Sequence, residues 1–165
     1  FCAALPFYLY GYNSKEILKV IKIITVSETS IKYALSKFHL ITFALRGAKN
    51  PIKEFIKKFK KDIFFKDVIA GIKKVKKLKT KPHSLVVKKL GMACSYPGTF
   101  NSSIHAILTS KDYKAAITKT IKAGGCNCSR ANFIGAYFAA LKGASSIPIS
   151  WIKKTHPAKK ILKQN

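Results

Sequence analysis

The chain has 165 residues, 48% of them apolar, with 32 Lys and Arg against six Asp and Glu and a net charge of +26. That length suits one domain, and that apolar content supplies a core, which excludes a disordered basic tail. No uncharged apolar run reaches the ~18 residues of a membrane span. Thirty of the basic residues are Lys, so the excess should attract polyanions non-specifically, in a salt-dependent way, without the Arg forks of dedicated phosphate recognition.

In chain order, Phe1 to Tyr12 is apolar and aromatic, interrupted by Pro6 and Gly11. With no initiator Met and no basic leader, Phe1 is expected to be a cut through a longer protein rather than the start of a signal peptide. Asn13 and Glu16 have capping-box spacing and open a helix with Ile17, Val20, Ile21 and Ile24 on one stripe, stopping near Ser27 to Thr29. A second helix is predicted from about Ser30, with Ile31, Ala34, Leu35, Phe38, Ile41, Thr42 and Leu45 inward and Gly47 past its end. Asn50-Pro51 starts a third, burying Ile52, Phe55, Ile56, Phe59 and Ile63. Val68, Ile69, Ile72 and Val75 make a fourth stripe.

Residues 49–89 hold fifteen of the lysines. A solvated lysine face on packed helices is preferred here to a nucleic-acid or anionic-membrane interface. Lys79 to Lys89, interrupted by Pro82, is read as a loop. Tyr96-Pro97-Gly98 forms a turn before a helix of Ser102 to Leu108. His105, among Ile104, Ile107 and Leu108, reads as a satisfied core histidine and not a base. Ser110 is taken as the cap of the next helix, supported by Asp112, with Tyr113, Ala116, Ile117, Thr120 and Ile121 inward.

That helix delivers the chain to Gly124-Gly125-Cys126-Asn127-Cys128-Ser129-Arg130. The paired glycines allow a turn closed to other residues, with Asn127 or Ser129 available to cap the following helix. From Ser129 to Leu141 that helix is apolar nearly all round, with Phe133, Ile134, Tyr137 and Phe138 among small Gly and Ala, as expected of the central helix of a bundle. Gly143 ends it, a short helix anchored by Trp151 follows, and the tail from His156 is expected to fray. The free N–H groups of the turn, with Arg130, suit an anion such as a phosphate.

Four cysteines, Cys2, Cys94, Cys126 and Cys128, do not make a disulfide scaffold, and a reducing, cytoplasmic setting is expected. A zinc site would need Cys94, His83, His105 or His156 as remote further ligands, so free thiols are preferred. Thiol catalysis at the helix N-terminus lacks a base at any recognisable spacing.

The Gly124-Gly125-x-x-x-Ser129 turn opening a Gly/Ala-rich helix, followed by Ile147-Pro148-x-x-Trp151, resembles the C-terminal signature of the ADP-ribosylglycohydrolase superfamily. Gly124-Gly125-Cys126-Asn127-Cys128-Ser129-Arg130 is most similar to the branch holding the jellyfish J1 crystallins and their selenoprotein relatives. The resemblance implies an all-α helical bundle, here its C-terminal portion as one domain over 1–165, completed by an N-terminal half. It also implies an ADP-ribose-like ligand, at Gly124, Gly125, Asn127, Ser129 and Arg130, with Tyr96 and Phe100 nearest the cleft or else simply core aromatics. The hydrolases hold magnesium through an Asp-x-Asp-Ser/Thr motif. This chain has Cys126 and Cys128 where those aspartates stand, and retains Ser129. Sulfur serves magnesium poorly, and no Asp or Glu follows Asp112. The expectation is therefore no cofactor and no hydrolysis, unless acidic ligands are supplied by the N-terminal half.

Overall fold

The computed structural model describes residues 11–162, so the apolar stretch up to Tyr10, with Cys2, lies outside the described residues. Among those described there are helices and no strand: α1 (Ser14–Ile24), α2 (Glu28–Leu45), α3 (Pro51–Phe59), α4 (Lys66–Lys76), α5 (His83–Leu90), α6 (Gly98–Leu108), α7 (Tyr113–Lys122), α8 (Asn127–Lys142), α9 (Ile149–Lys154) and α10 (Ala158–Leu162). The all-α bundle predicted from helical spacing is what forms.

Side-chain caps set the starts of α1, α2, α3 and α7. Asn13 Oδ1 accepts from the Lys15 and Glu16 N–H groups at 2.9 and 3.2 Å, while the Asn13 N–H donates to Glu16 Oε2 at 2.7 Å. This completes the reciprocal box. Ser27 caps α2 by accepting from the Ser30 N–H at 3.3 Å, so that helix begins at Glu28, ahead of the predicted Ser30. Asn50 Oδ1 accepts from the Lys53 N–H at 3.0 Å, with Pro51 in the first turn of α3.

The core corrects four details. Ile63 is 78% exposed, because α3 ends at Phe59 and Asp62 caps a tight turn at Ile63–Phe65 that swings Phe65 inward instead. The expected loop over 79–89 is largely α5. Pro82 stands at its N-cap position and so starts the helix, while Val86 and Val87 are buried, with α6 the chief helix packed on α5. Asp112, and not Ser110, caps α7, accepting from the Ala115 N–H at 2.7 Å; its side chain reaches the helix start directly, whereas Ser110 Oγ is buried without a hydrogen-bond partner among the described residues. Ala158–Leu162 of the tail is helical as α10 rather than frayed, and residues 163–165 lie outside the described residues.

α8 is the central helix. It packs against α2, α6 and α7 and buries Phe133, Ile134, Gly135, Tyr137 and Phe138. Gly135 lets Tyr113 lie against the helix backbone: a Cβ there would sit 3.2 Å from the Tyr113 hydroxyl oxygen. Trp151 meets the Tyr113 ring edge-on, centroids 6.1 Å apart, and so fastens the closing helix to α7.

Candidate functional site

The turn between α7 and α8 is built as its glycines predict. Gly124 and Gly125 have φ of +73° and +68°, and a Cβ on Gly125 would come within 2.5 Å of the Met92 carbonyl oxygen. That carbonyl accepts from the Cys126 N–H at 2.8 Å. Only glycine permits both the left-handed backbone and this approach, so the loop before α6 supports the start of α8.

Cys126 occupies the N-cap position of α8, and no side chain makes a cap hydrogen bond there; neither Asn127 nor Ser129 caps the helix as expected. Both are engaged elsewhere. The Asn127 amide nitrogen lies 3.4 Å from the Ile121 carbonyl oxygen, and Ser129 Oγ lies 3.0 Å from Cys126 Sγ. Cys126 Sγ is 3.8 Å from Cys128 Sγ. The Ser129 hydroxyl, and after it the Ser129 backbone N–H, holds the Cys126 thiol below its ordinary pKa; partial burial opposes this, and Cys128 and Cys94 act in the same direction as Ser129. Cys94 and Cys128 are exposed. Cys126 is therefore a partly activated thiol beside a second, solvent-reachable one at the start of a helix.

Arg130 departs furthest from expectation. Its side chain is turned inward and fully buried. Nη2 donates to the Gly124 carbonyl oxygen and to Asn127 Oδ1, the latter at 2.9 Å. Nε and Nη1 have no hydrogen-bond partner among the described residues. Burial depresses its pKa, while Cys126 and Cys128 oppose that shift. The guanidinium thus ties the glycine turn to the first turn of α8 from below.

Phe100 is fully buried, stacked on Phe133 with centroids 5.9 Å apart and tilted against Tyr33; of its two readings, the core aromatic describes it. Tyr96 is half-buried and stacks on Tyr33 at 4.9 Å with planes 7° apart. Its hydroxyl oxygen accepts from Lys37 Nζ at 3.1 Å. Lys37, buried on α2, also lies 5.5 Å from the Phe133 ring centre. Lys37 sits on the helix between Ser36 and Phe38 with nothing in its spacing to mark it, so a buried ammonium was not legible.

Nor was the pairing of His83 with His105. His105 Nε2 lies 3.0 Å from the Leu78 carbonyl oxygen and His83 Nδ1 lies 3.0 Å from His105 Nδ1. The hydrogen-bond pattern assigns the protons: His105 Nε2–H donates to Leu78, the bare His105 Nδ1 accepts from His83 Nδ1–H, and His83 Nε2 is left bare. Burial first, then His105, Lys119 and Arg130, lowers the His83 pKa to about 4. His105 is also lowered, by burial, against the Leu78 hydrogen bond. Both rings are neutral at pH 7, as expected of a core histidine.

Beside this pair lies an open depression of about 620 Å³, lined by His83, Lys111, Lys114, Lys119 and Lys122 among others, but by none of Gly124 to Arg130. The turn itself offers a hard divalent cation two sulfurs, one hydroxyl and a buried guanidinium, a donor set that does not fit magnesium. Among the described residues no three His, Cys, Asp or Glu side chains are gathered to hold a metal, and no helix is long and apolar enough to cross a membrane.

Comparison with known proteins agrees with the helical bundle. Crystallin J1A of Tripedalia cystophora is 40% identical over 76 residues, and crystallin J1B of the same animal 33% identical over 76 residues; each match covers 46% of this chain and 24% of the crystallin. The matched stretch is thus about a quarter of either relative's length. The family model for ADP-ribosylglycohydrolase matches residues 2–164. A helical bundle centred on α8, opened by this glycine turn and matched along nearly its whole length, places the chain in the ADP-ribosylglycohydrolase family.

Proposed function

We propose that this protein is a non-catalytic member of the family, serving as a structural protein of the J1 crystallin kind or as a binder of ADP-ribose-like nucleotides, and not as a magnesium-dependent hydrolase. The observation that carries the reading is sulfur at Cys126 and Cys128, 3.8 Å apart, where the resemblance places carboxylates. No Asp or Glu follows Asp112 in the sequence, so nothing nearby in the chain compensates. Hydrolysis of a glycosidic bond by such a centre needs the metal to hold and activate water, and thiols beside a buried guanidinium do not recruit magnesium.

Binding asks for less. The N-terminus of α8 carries the positive end of the helix dipole, and Gly124, Gly125, Asn127 and Ser129 form the rim of that end. Because Arg130 is already turned beneath the turn, and the Gly124, Cys126 and Asn127 N–H groups donate to Ile121, Met92 and Gly125, a diphosphate would be drawn mainly by the helix dipole, with the buried charge acting from below. Calorimetry of the protein with ADP-ribose, with and without magnesium, tests this arm; magnesium-independent heat is expected, and no heat in either condition leaves the structural role alone.

Incubation with an ADP-ribosylated protein tests the other arm. No chelator-sensitive release of ADP-ribose is expected. Release that stops on adding chelator would overturn the proposal in favour of a metal-dependent ADP-ribosyl hydrolase whose acidic ligands precede Phe1.

A further inference from the structure

We propose that the open depression between α5 and α7 is a second binding site, separate from the glycine turn, for a small phosphorylated sugar or polyol. On one side α5 presents an uncapped N-terminus. Its first backbone bond runs from the Val86 N–H to the Pro82 carbonyl oxygen at 3.1 Å. No side chain caps the helix, and the His83, Ser84 and Leu85 N–H groups meet no acceptor among the described residues. Such an end draws an anion. On the other side α7 and the segment before it supply Lys111, Lys114, Lys119 and Lys122, against one lining carboxylate, Asp112. Lys119 is already held in place: Nζ donates to the Thr109 carbonyl oxygen at 2.6 Å and to Thr109 Oγ1 at 3.1 Å. An ammonium has three donors, so one remains for a ligand oxygen, on a side chain whose ordering cost is already met.

The kind of ligand follows from what else lines the depression. His83 stands in its wall and is only 6% exposed. With its Nδ1–H given to His105, its Nε2 is a buried acceptor that has no partner among the described residues. A ligand hydroxyl can donate to it, whereas a fully ionised phosphate cannot. Asp112 can accept from another hydroxyl, because its bond to the Ala115 N–H uses Oδ1. A volume of about 620 Å³ suits a small molecule. No Phe, Tyr or Trp lines it, so a nucleobase would find no ring to stack on. Phosphates for the helix end and the lysines, hydroxyls for His83 and Asp112, and no base together describe a sugar phosphate, and four lysines describe more than one phosphate group. None of Gly124 to Arg130 lines the depression, so filling it leaves the turn free for its own ligand.

The test is calorimetry of the full chain with fructose bisphosphate in about 150 mM salt, which screens general surface attraction. About one equivalent should bind, and free fructose should not. Tripolyphosphate, which has the charge without a hydroxyl, should bind at least about fivefold more weakly, the worth of one neutral hydrogen bond. Ser84→Glu sets a carboxylate where the phosphate would sit. An acid suits the first turn of a helix, so the fold should hold while affinity falls at least about tenfold. Lys114→Gln with Lys122→Gln, both exposed, should also cost about tenfold or more. Lys53→Gln with Lys57→Gln removes the same charge from α3 and should change affinity less than about twofold. On the unsubstituted protein, amide NMR shifts during titration should cluster at 83–85 and 111–122. No heat at that salt, an equal loss from the α3 pair, unaltered affinity in Ser84→Glu, tripolyphosphate binding as tightly as the sugar, or shifts centred on 124–130 would each overturn the assignment.

Discussion

Lowering the pH from 7 to 5 should destabilise this protein chiefly through its histidines. The chain has six acidic residues, and the ion pair found among the described residues, Lys32 with Asp67 at 3.4 Å, has a carboxylate that is 76% exposed, so little is lost when carboxylates protonate. His83 is different: it is 6% exposed, and its pKa is lowered from 6.5 to about 4. A base with a depressed folded pKa gives stability that is complete above its unfolded value of 6.5 and is lost as pH falls towards 4. The full shift corresponds to about 3 kcal/mol, of which roughly 2 kcal/mol is gone by pH 5. His39 is also lowered to about 4, by burial and then by Lys58 and Arg46, and contributes with the same sign, discounted because it is only half-buried. Urea unfolding at a series of pH values should therefore show a slope approaching 1.4 kcal/mol per pH unit for each titrating histidine. His83→Leu removes one such proton and should flatten the slope between pH 6 and 5, whatever it costs in absolute stability by leaving His105 Nδ1 without its donor. An unchanged slope in that variant would refute the neutral-tautomer chain.

Asp112→Ala should cost about 1 kcal/mol in chemical denaturation by uncapping α7, while Ser110→Ala should be neutral or slightly stabilising, because it removes a buried hydroxyl that has no partner. Gly125→Ala should cost about 2–4 kcal/mol, combining a left-handed backbone with a Cβ pressed to 2.5 Å from the Met92 carbonyl oxygen; for a chain of this size that is a fall in Tm of roughly 6–12 °C by calorimetry. Cys126→Asp should raise stability by about 1 kcal/mol, since it gives the buried Arg130 a carboxylate in place of a thiol. A lower Tm in that variant would mean that the guanidinium is already satisfied.

Helices whose starts rest on local chemistry were legible. Asn13 with Glu16, and Asn50 with Pro51, act within four residues of themselves, and α8 betrays its central place by having no polar face. Boundaries failed where a distant neighbour decides them. Pro82 breaks a run or begins one depending on what Val86 and Val87 find to pack on, and in this fold α6 is there. Ser110 and Asp112 are both competent caps by type, and only the backbone path distinguishes them. Ile63 keeps the helical spacing of Phe55 and Phe59, but the turn held by Asp62 ends that register before it arrives.

The site was legible in its backbone and misleading in its charges. Positive φ at Gly124 and Gly125 could be read from residue type alone, because no other side chain tolerates that backbone beside Met92. A charged residue one turn into a helix is ordinarily solvated, which made Arg130 look outward. Its burial follows from geometry that spacing does not encode: the glycine turn presents a carbonyl oxygen to the inside, Asn127 adds a second acceptor 2.9 Å from Nη2, and the guanidinium bridges them. Those two acceptors compensate only one nitrogen. The ionisable groups that act favourably on the remaining charge are Cys126 and Cys128, the two thiols at the start of α8. The buried cation is thus matched with groups that carry charge only as thiolates, which is why a carboxylate at position 126 is expected to stabilise the turn.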